Sequence, residues 1–317
     1  MKALVVILNK NNAENLKKCL SSLVNQTAKI GRDFDVLVLD GASTDNSRGV
    51  AEEFSKFGVK FKVQERLGGT GFARIEGCLY AIKRGYDVVI WGDSENVYER
   101  DYVAKVLEKL KDCDVVGGVP VVEGSFFDHA FAWYHAIHLV VPKLYKRHIP
   151  GNNKAEKTWI YRKVMYPPSI RAEDYGFSLL LLKNGVNLKH DVTNAIVHIS
   201  LPRTLKEILL WQDARAKGVA QALRLIGFKP YDVVAWSAVV VVLLIFSLLA
   251  LIDPLPLVVY SLMLTLIAMY LGVKSKRFIK KFNWFYVLAP LIGIIIYSLY
   301  SIKALIYYMR WSNEKFA

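Results

Sequence analysis

Residues 87–95 read Asp-Val-Val-Ile-Trp-Gly-Asp-Ser-Glu. Asp87–Trp91 has an unbroken apolar stretch and no polar alternation, the pattern of a strand buried on both faces of a parallel sheet. Two carboxylates, Asp93 and Glu95, follow one residue apart just past the point where that strand is expected to end. In open α/β sheets the carboxyl ends of the strands are where ligands bind. The stretch therefore predicts both a sheet and the edge at which to look for chemistry.

The flanking sequence repeats the rhythm. Ala3–Leu8 and Phe34–Leu39 are apolar runs, Lys60–Gln64 is strand-like, and Asp114–Val119 and Asn194–Ile199 complete the set. Between them lie helical patterns: Ala13–Asn25 with Leu16, Cys19, Leu20 and Leu23 on one face, Ser47–Phe57, Phe72–Arg84 stopped by Gly85, and Tyr102–Lys111. Alternation of this kind predicts an α/β, Rossmann-like domain with a mostly parallel sheet. It is expected to cover residues 1–202.

The rest of the chain is different. Mean hydropathy is +0.25 although 22% of residues are charged, so charge and apolar surface must be segregated along the sequence. Val233–Ile252, Leu255–Val273 and Tyr286–Met309 are each long enough to cross a hydrocarbon core of roughly 30 Å, which predicts a three-helix transmembrane domain over 231–317. The turn Asp253–Pro256 has no Lys or Arg, whereas Lys274, Lys276, Arg277, Lys280 and Lys281 crowd the next loop. By the positive-inside rule that loop is cytosolic, the N-terminal domain is cytosolic, and a third crossing leaves the C-terminus outside. Lys303, inside the third segment, is expected to reach toward the outer interface.

Thr204–Ile226 alternates Leu205, Ile208, Leu209, Val219, Leu223 and Ile226 with Lys206, Arg215, Lys217 and Arg224, and predicts an interfacial amphipathic helix within 203–230. Residues 124–160 interrupt the α/β rhythm with aromatics, His129, His135 and His138, and the basic patch Lys143, Lys146, Arg147 and His148. They read as a helix with a buried aromatic face or one lying at the membrane. The histidines have no cysteine or acidic partner at ligand spacing, which speaks against zinc. The net charge of +14 is absorbed largely by membrane-flanking segments, so no nucleic-acid partner is expected. The 3 cysteines are scattered singly and suit a reducing compartment. Leu4–Leu8 is too short for the apolar core of a signal peptide.

Several segments, in order, resemble the family 2 glycosyltransferases of the GT-A fold. Val5–Thr27 is similar to the family's opening strand and helix, with Leu8-Asn9-Lys10-Asn11 in place of Pro-Thr-Tyr-Asn. Asp40-Gly41-Ala42-Ser43-Thr44-Asp45 resembles its Asp-rich loop, and Gly71–Gly77 its Ala-Arg-Asn-x-Gly helix. Asp93-Ser94-Glu95 stands where the family has Asp-x-Asp, and Glu173-Asp174 matches its Glu-Asp pair.

The resemblance implies an inverting transfer of a hexose from a nucleotide sugar. Asn11, Glu14, Asp40, Arg74 and Asp93 would contact the donor, with Asp40 offering an exposed carboxylate to the base or ribose. Asp93, Glu95 and His198 would hold a divalent metal, Mn²⁺ or Mg²⁺, and Asp174, beside Glu173, would be the catalytic base. Gln212-Asp213-Ala214-Arg215-Ala216 is similar to the Gln-x-x-Arg-Trp motif of cellulose-synthase-like members, which adds Gln212 and Arg215 as donor or acceptor contacts. Plainer roles stay open: Asp45 as a helix cap, Arg74 on a helix surface, Asp174 at a helix N-terminus, and His198 as a satisfied buried side chain.

Membrane segments imply a lipid-linked acceptor. Resemblance to dolichyl-phosphate mannose synthases makes GDP-mannose the first donor, with transfer to a polyprenyl or dolichyl phosphate or a polyprenyl-linked glycan, as in N-glycan biosynthesis. UDP-sugars stay open. The rival expectations are a processive polysaccharide synthase and a non-catalytic membrane subunit with a degenerate transferase domain.

Overall fold

A computed structural model describes residues 1–310; residues 311–317, the end of the segment read as transmembrane, lie outside the described residues. The chain divides into two compact units, 1–121 with 136–200, and 122–135 with the segment from 201 onward. The aromatic and basic stretch 124–160 is thus shared, its first part belonging to the second unit.

In the first unit the elements run β1 (Ala3–Asn9), α1 (Ala13–Val24), β2 (Phe34–Asp40), α2 (Ser47–Glu53), β3 (Val59–Val63), α3 (Thr70–Lys83), β4 (Val88–Asp93), β5 (Val97–Tyr98), α4 (Tyr102–Lys109) and β6 (Val115–Val121). The second unit contributes α5 (Phe126–His135) before the chain returns as α6 (Ile137–Val140), β7 (Lys154–Lys157), α7 (Trp159–Lys163), α8 (Glu173–Lys183) and β8 (His190–His198).

One sheet has the order β3-β2-β1-β4-β7-β6-β8-β5. The expected parallel core is present: β1 pairs in parallel with β2 and β4, β2 with β3, and β6 with β8. The sheet is mixed, because β7 slots antiparallel between β4 and β6 and β5 lies antiparallel on β8. Every residue of β1 is buried, as its unbroken apolar run requires. Leu4, Val6, Leu37, Val89 and Trp91 pack with Ala73, Cys78 and Ala81 of α3 into one core. Gly77 permits that approach: a Cβ there would stand 2.8 Å from the Trp91 ring.

β2 and β4 each run one or two residues beyond the apolar stretch, to Asp40 and Asp93. Asn9 is level with Asp40 and Leu8 with Asp93 across the ladders. Strands 3-2-1 extend to one side of β1 and β4 lies on the other, so this edge carries the reversal of strand order at which α/β sheets form a crevice.

The second unit contains α9 (Leu205–Ile226), α10 (Tyr231–Leu249), α11 (Leu255–Ser275) and α12 (Pro290–Arg310). Thr204 and Glu207 form a capping box at the start of α9, and Gly227 closes it in the left-handed conformation at φ 70°. Three helical stretches, Tyr231–Leu249, Leu255–Phe278 and Trp284–Arg310, are long and apolar enough to cross a membrane. Lys303, in the third of these stretches, has a partner within the unit. Its Nζ pairs with Asp213 of α9, which also accepts from Lys217 at 2.9 Å and from the Tyr307 hydroxyl at 2.9 Å.

Candidate active site

The loop after β1 and the loop after β2 are tied together by short polar side chains. Asn9 Nδ2 donates to Asp40 Oδ2 at 2.7 Å, and the Ser43 backbone N–H and hydroxyl donate to the two Asp40 oxygens at 2.7 and 2.6 Å. Asp40 is only 1% exposed. The expectation of an exposed carboxylate is therefore corrected: Asn9, on the neighbouring strand and in register, covers it. Asn11 Oδ1 accepts from the Thr44 N–H at 2.7 Å, which makes it a loop clamp. Asp45 Oδ1 accepts from the Ser47 N–H at the start of α2, and Oδ2 from the Ala13 N–H at the start of α1. Glu14 lies on the surface of α1 in an i,i+4 pair with Lys18.

The start of α3 is docked rather than free. Its first N–H groups, which would otherwise favour an anion, donate to backbone carbonyls: Thr70 to Ile170 at 3.0 Å and Gly71 to Ser169 at 2.9 Å. This places Arg74 beside Glu173. Arg74 Nε bonds Glu173 Oε1 at 2.7 Å, the Thr70 hydroxyl donates to Glu173 Oε2, and the guanidinium stacks over Trp91 at 4.8 Å. Arg74 is 2% exposed and Glu173 7%. Arg74, expected on a diphosphate, and Glu173, expected beside the catalytic step, are thus a buried ion pair that joins α3 to α8.

Asp174, the next residue, has another setting. Oδ2 accepts from the Gly151 N–H at 2.8 Å and Oδ1 from the Tyr175 N–H at 2.8 Å. Burial would raise its pKa, but His148, Lys154, Arg74 and the Gly151 N–H hold the carboxylate below its usual range. Ala172, just ahead, has φ 57°. Asn11 at 49° and Ala42 at 59° are likewise left-handed, so three loops at this sheet edge carry backbone strain of about 1–3 kcal/mol each.

Asp93 and Glu95 meet no counter-charge in direct contact: among the described residues neither takes part in an ion pair. Burial pushes Glu95 up to about 7, the Asp93 charge adds to the shift, and Arg171 opposes it. Asp93 is also raised, by burial first, against the pull of Arg74 and with the push of Glu173. Asn12 steadies this loop by donating to the Ser94 hydroxyl at 3.0 Å, and Asn96 by donating to the Asn152 carbonyl at 2.8 Å.

Two oxygen donors that resist ionisation because of burial and nearby carboxylates have the chemistry of a divalent-cation site, since a dication reverses both effects. His198 does not join them. It ends β8 level with Val97, and its Nε2 lies 2.9 Å from Glu99 Oε1. Among the described residues no group of three His, Cys, Asp or Glu side chains is gathered to hold a metal.

Sequence reading missed Arg171 and the buried pair Lys154–Glu156, 2.9 Å apart, whose Glu156 Oε2 also accepts from Trp91, Tyr161 and Tyr166. Lys154 and Glu156 alternate with Ala155 on a four-residue strand, and that i,i+2 spacing is the one signal that both face the same way. Gln212 and Arg215 belong to the second unit. There Gln212 Oε1 accepts from Arg215 Nε at 2.8 Å and the guanidinium covers the Tyr297 ring at 4.0 Å.

The model of the family described as Glycosyl transferase family 2 matches residues 4–166, more than half of the chain. The chain belongs to glycosyl transferase family 2. It is a glycosyltransferase with the GT-A fold. It is 26% identical over 190 residues to the undecaprenyl-phosphate mannosyltransferase of Micrococcus luteus, an alignment covering 56% of this chain and 75% of that protein. An uncharacterized glycosyltransferase of Nostoc sp. is 30% identical over 125 residues, 37% of this chain and 35% of its own length. Among solved structures, the mannosyltransferase PcManGT from Pyrobaculum calidifontis, in complex with GDP-Man and Mn²⁺, superposes with a TM-score of 0.62 at 17% identity. That match covers 94% of this glycosyltransferase and 86% of the other chain, and establishes the shared fold.

Proposed function

We propose that this glycosyltransferase transfers mannose from GDP-mannose, with inversion, to a lipid-linked acceptor at the cytosolic face of a membrane. The observation that carries the reading is the uncompensated pair Asp93–Glu95 at the sheet edge, together with Asp174 held ionised in the same unit. Mannose and the lipid acceptor are drawn from the Micrococcus luteus relative, which is an undecaprenyl-phosphate mannosyltransferase, and GDP-Man and Mn²⁺ from the Pyrobaculum calidifontis complex. The cytosolic face follows from the basic loop after α11.

Asp93 and Glu95 would hold Mn²⁺ or Mg²⁺, which when bound offsets charge on the departing diphosphate. Asp174 takes the proton of an acceptor hydroxyl as that oxygen bonds to the anomeric carbon. The bond from that carbon to the nucleoside diphosphate breaks, and its electron pair leaves with the diphosphate. Two backbone N–H groups, from Gly151 and Tyr175, fix the carboxylate for this task. Arg171, whose charge acts on both Asp93 and Glu95, would meet the anionic donor.

The test is a panel of GDP- and UDP-sugars offered, with Mn²⁺, to the detergent-solubilised protein together with polyprenyl phosphate or a polyprenyl-linked glycan. Mannose transfer from GDP-mannose that stops in excess EDTA and resumes with Mn²⁺ is the expected result. Transfer from UDP-sugars alone overturns the donor, and full turnover in EDTA overturns the metal.

A further inference from the structure

Hydropathy alone makes α12 a third crossing, but its contacts within the second unit give it a different position. α10 and α11 form a hairpin: the Tyr260 hydroxyl of α11 donates to the Val239 carbonyl at 2.9 Å, and Phe246 packs edge-on against Tyr260 with ring centres 5.6 Å apart. The hairpin's open end is therefore where α10 begins and α11 finishes. The far end of α12 is found there. Arg224 Nε of α9 donates to the Tyr308 carbonyl at 2.7 Å and stacks on the Tyr308 ring at 4.1 Å, and α10 starts only a few residues after Arg224. The near end of α12 is at the same level. Gly272, in the last turn of α11, packs directly on the Val287 carbonyl, and α12 begins at Pro290.

Burial agrees. On α10 the buried residues are Val233, Ser237 and Val240, from its start to its middle; on α11 they are Leu264, Ala268, Leu271, Gly272 and Ser275, from its middle to its end. The hairpin tip is bare, with Leu251 87% and Ile252 88% exposed. α12 is buried along its length through Gly293, Ser298, Ser301 and Ala304. A third helix crossing beside the other two would cover both halves of the hairpin.

Charge agrees as well. In this unit every described Lys and Arg lies just ahead of α9 or on it, on the segment between α9 and α10, on the end of α11 and the loop after it, or on the last turns of α12; the tip 250–254 has none. If α12 crossed, Lys303 and Arg310 would lie on the opposite side, against the positive-inside bias. With α12 on the open side, all of them share one face.

We propose that α10 and α11 cross the bilayer as a two-helix hairpin and that α12 does not. Its 21 residues, roughly 31 Å of helix, lie against the open half of the hairpin at the lipid–water interface. Tyr297, Tyr300, Tyr307 and Tyr308 suit that depth, and Arg310 ends on the side of the membrane where α10 begins. The partner of this surface is the bilayer, and the C-terminus is on the cytosolic side, contrary to the outward end expected from three crossings.

The test uses the full-length protein in sealed vesicles, with single cysteines introduced as Met309→Cys, Lys274→Cys and Asp253→Cys and a membrane-impermeant maleimide. Met309 is 68% exposed and its replacement disturbs no packing, while the native Cys19, Cys78 and Cys113 are buried and stay silent. Met309→Cys is expected to label from the same side as Lys274→Cys and from the opposite side to Asp253→Cys. Labelling of Met309→Cys together with Asp253→Cys restores the third crossing and overturns the proposal. So does labelling of Asp253→Cys from the Lys274→Cys side, which would mean that the hairpin does not cross. Arg310→Cys, one residue on, repeats the measurement should Met309→Cys fail to accumulate.

Discussion

Glu173 and Asp93 are carboxylates of the first unit, the one buried and the other half-buried, and they live under opposite conditions. Glu173 is matched by Arg74 at 2.7 Å and by the Thr70 hydroxyl. Glu156 is matched in the same way by Lys154 and three aromatic donors, and is held below the usual carboxylate range although burial pushes the other way. Asp93 is next to another acid, Glu95, and both are raised. A matched buried charge fixes the scaffold, and removing one partner strands the other. An unmatched pair destabilises the ligand-free fold and is satisfied only by something that binds. The difference separates residues that build the site from residues that use it.

The largest effect expected is on catalysis, at Asp174. Asp174→Asn keeps the shape and removes the base. Turnover onto a sugar hydroxyl should fall on the order of 10²–10⁴-fold, with nucleotide-sugar affinity, read by calorimetry, unchanged. A phosphate acceptor is already ionised near neutral pH. Near wild-type transfer to polyprenyl phosphate by this variant would identify the phosphate as nucleophile and return Asp174 to a capping role at α8.

Next comes the matched pair. Arg74→Met leaves Glu173 buried and alone, which should cost about 3–5 kcal/mol of stability, measured by thermal unfolding in detergent. If Arg74 were chiefly a donor-binding side chain, the variant would melt like wild type and lose only affinity. The combined change Arg74→Met with Glu173→Leu should recover much of the loss, because no charge is then stranded.

The unmatched pair should behave in the reverse sense. Asp93→Asn is expected to raise the melting temperature of the metal-free protein while abolishing the response to Mn²⁺. In the wild type, Mn²⁺ at a hundredfold excess over its dissociation constant should stabilise by about 2.7 kcal/mol. A wild-type protein whose melting is indifferent to Mn²⁺ would remove Asp93 and Glu95 from metal binding.

These distinctions were only partly legible in the sequence. The unbroken apolar runs and their helical spacers sufficed for the parallel core, and the position of Asp93 and Glu95 past one such run sufficed for the edge. The mixed part of the sheet was hidden because β7 is Lys-Ala-Glu-Lys, with no apolar run to announce it, and its Glu156 is satisfied in part by Trp91, 65 residues away in sequence. Arg74 read as a diphosphate contact or a surface arginine, and not as half of a buried pair, because its partner Glu173 arrives from nearly a hundred positions away. Asp40 read as exposed because a strand end looks open until the register with Asn9 is known. Hydropathy likewise measures what a segment is made of and not what it lies against, so the sequence shows that α12 is long and apolar enough to cross but not which elements it packs on.

The smallest effect expected is at Glu14, and it tests how far a motif's position can stand in for a site. Glu14 falls within the opening segment that resembles the donor-binding region of the family, yet its side chain points from the first turn of α1 into solvent and meets Lys18 at 2.7 Å. An exposed i,i+4 pair is screened by water and salt and contributes little. Glu14→Gln should therefore leave both the melting temperature and the Michaelis constant for the nucleotide sugar within experimental scatter. The neighbouring Asn11 provides the contrast. Its Oδ1 holds the Thr44 N–H while its own N–H donates to the Ser43 hydroxyl, so it bridges the loops after β1 and β2 from a left-handed backbone. Asn11→Ala removes the Oδ1 acceptor from a strained position and should raise that constant where Glu14→Gln does not. Equal responses at the two residues would mean that the donor reaches α1 as well, and that the boundary drawn here between loop clamp and solvent-facing helix is misplaced.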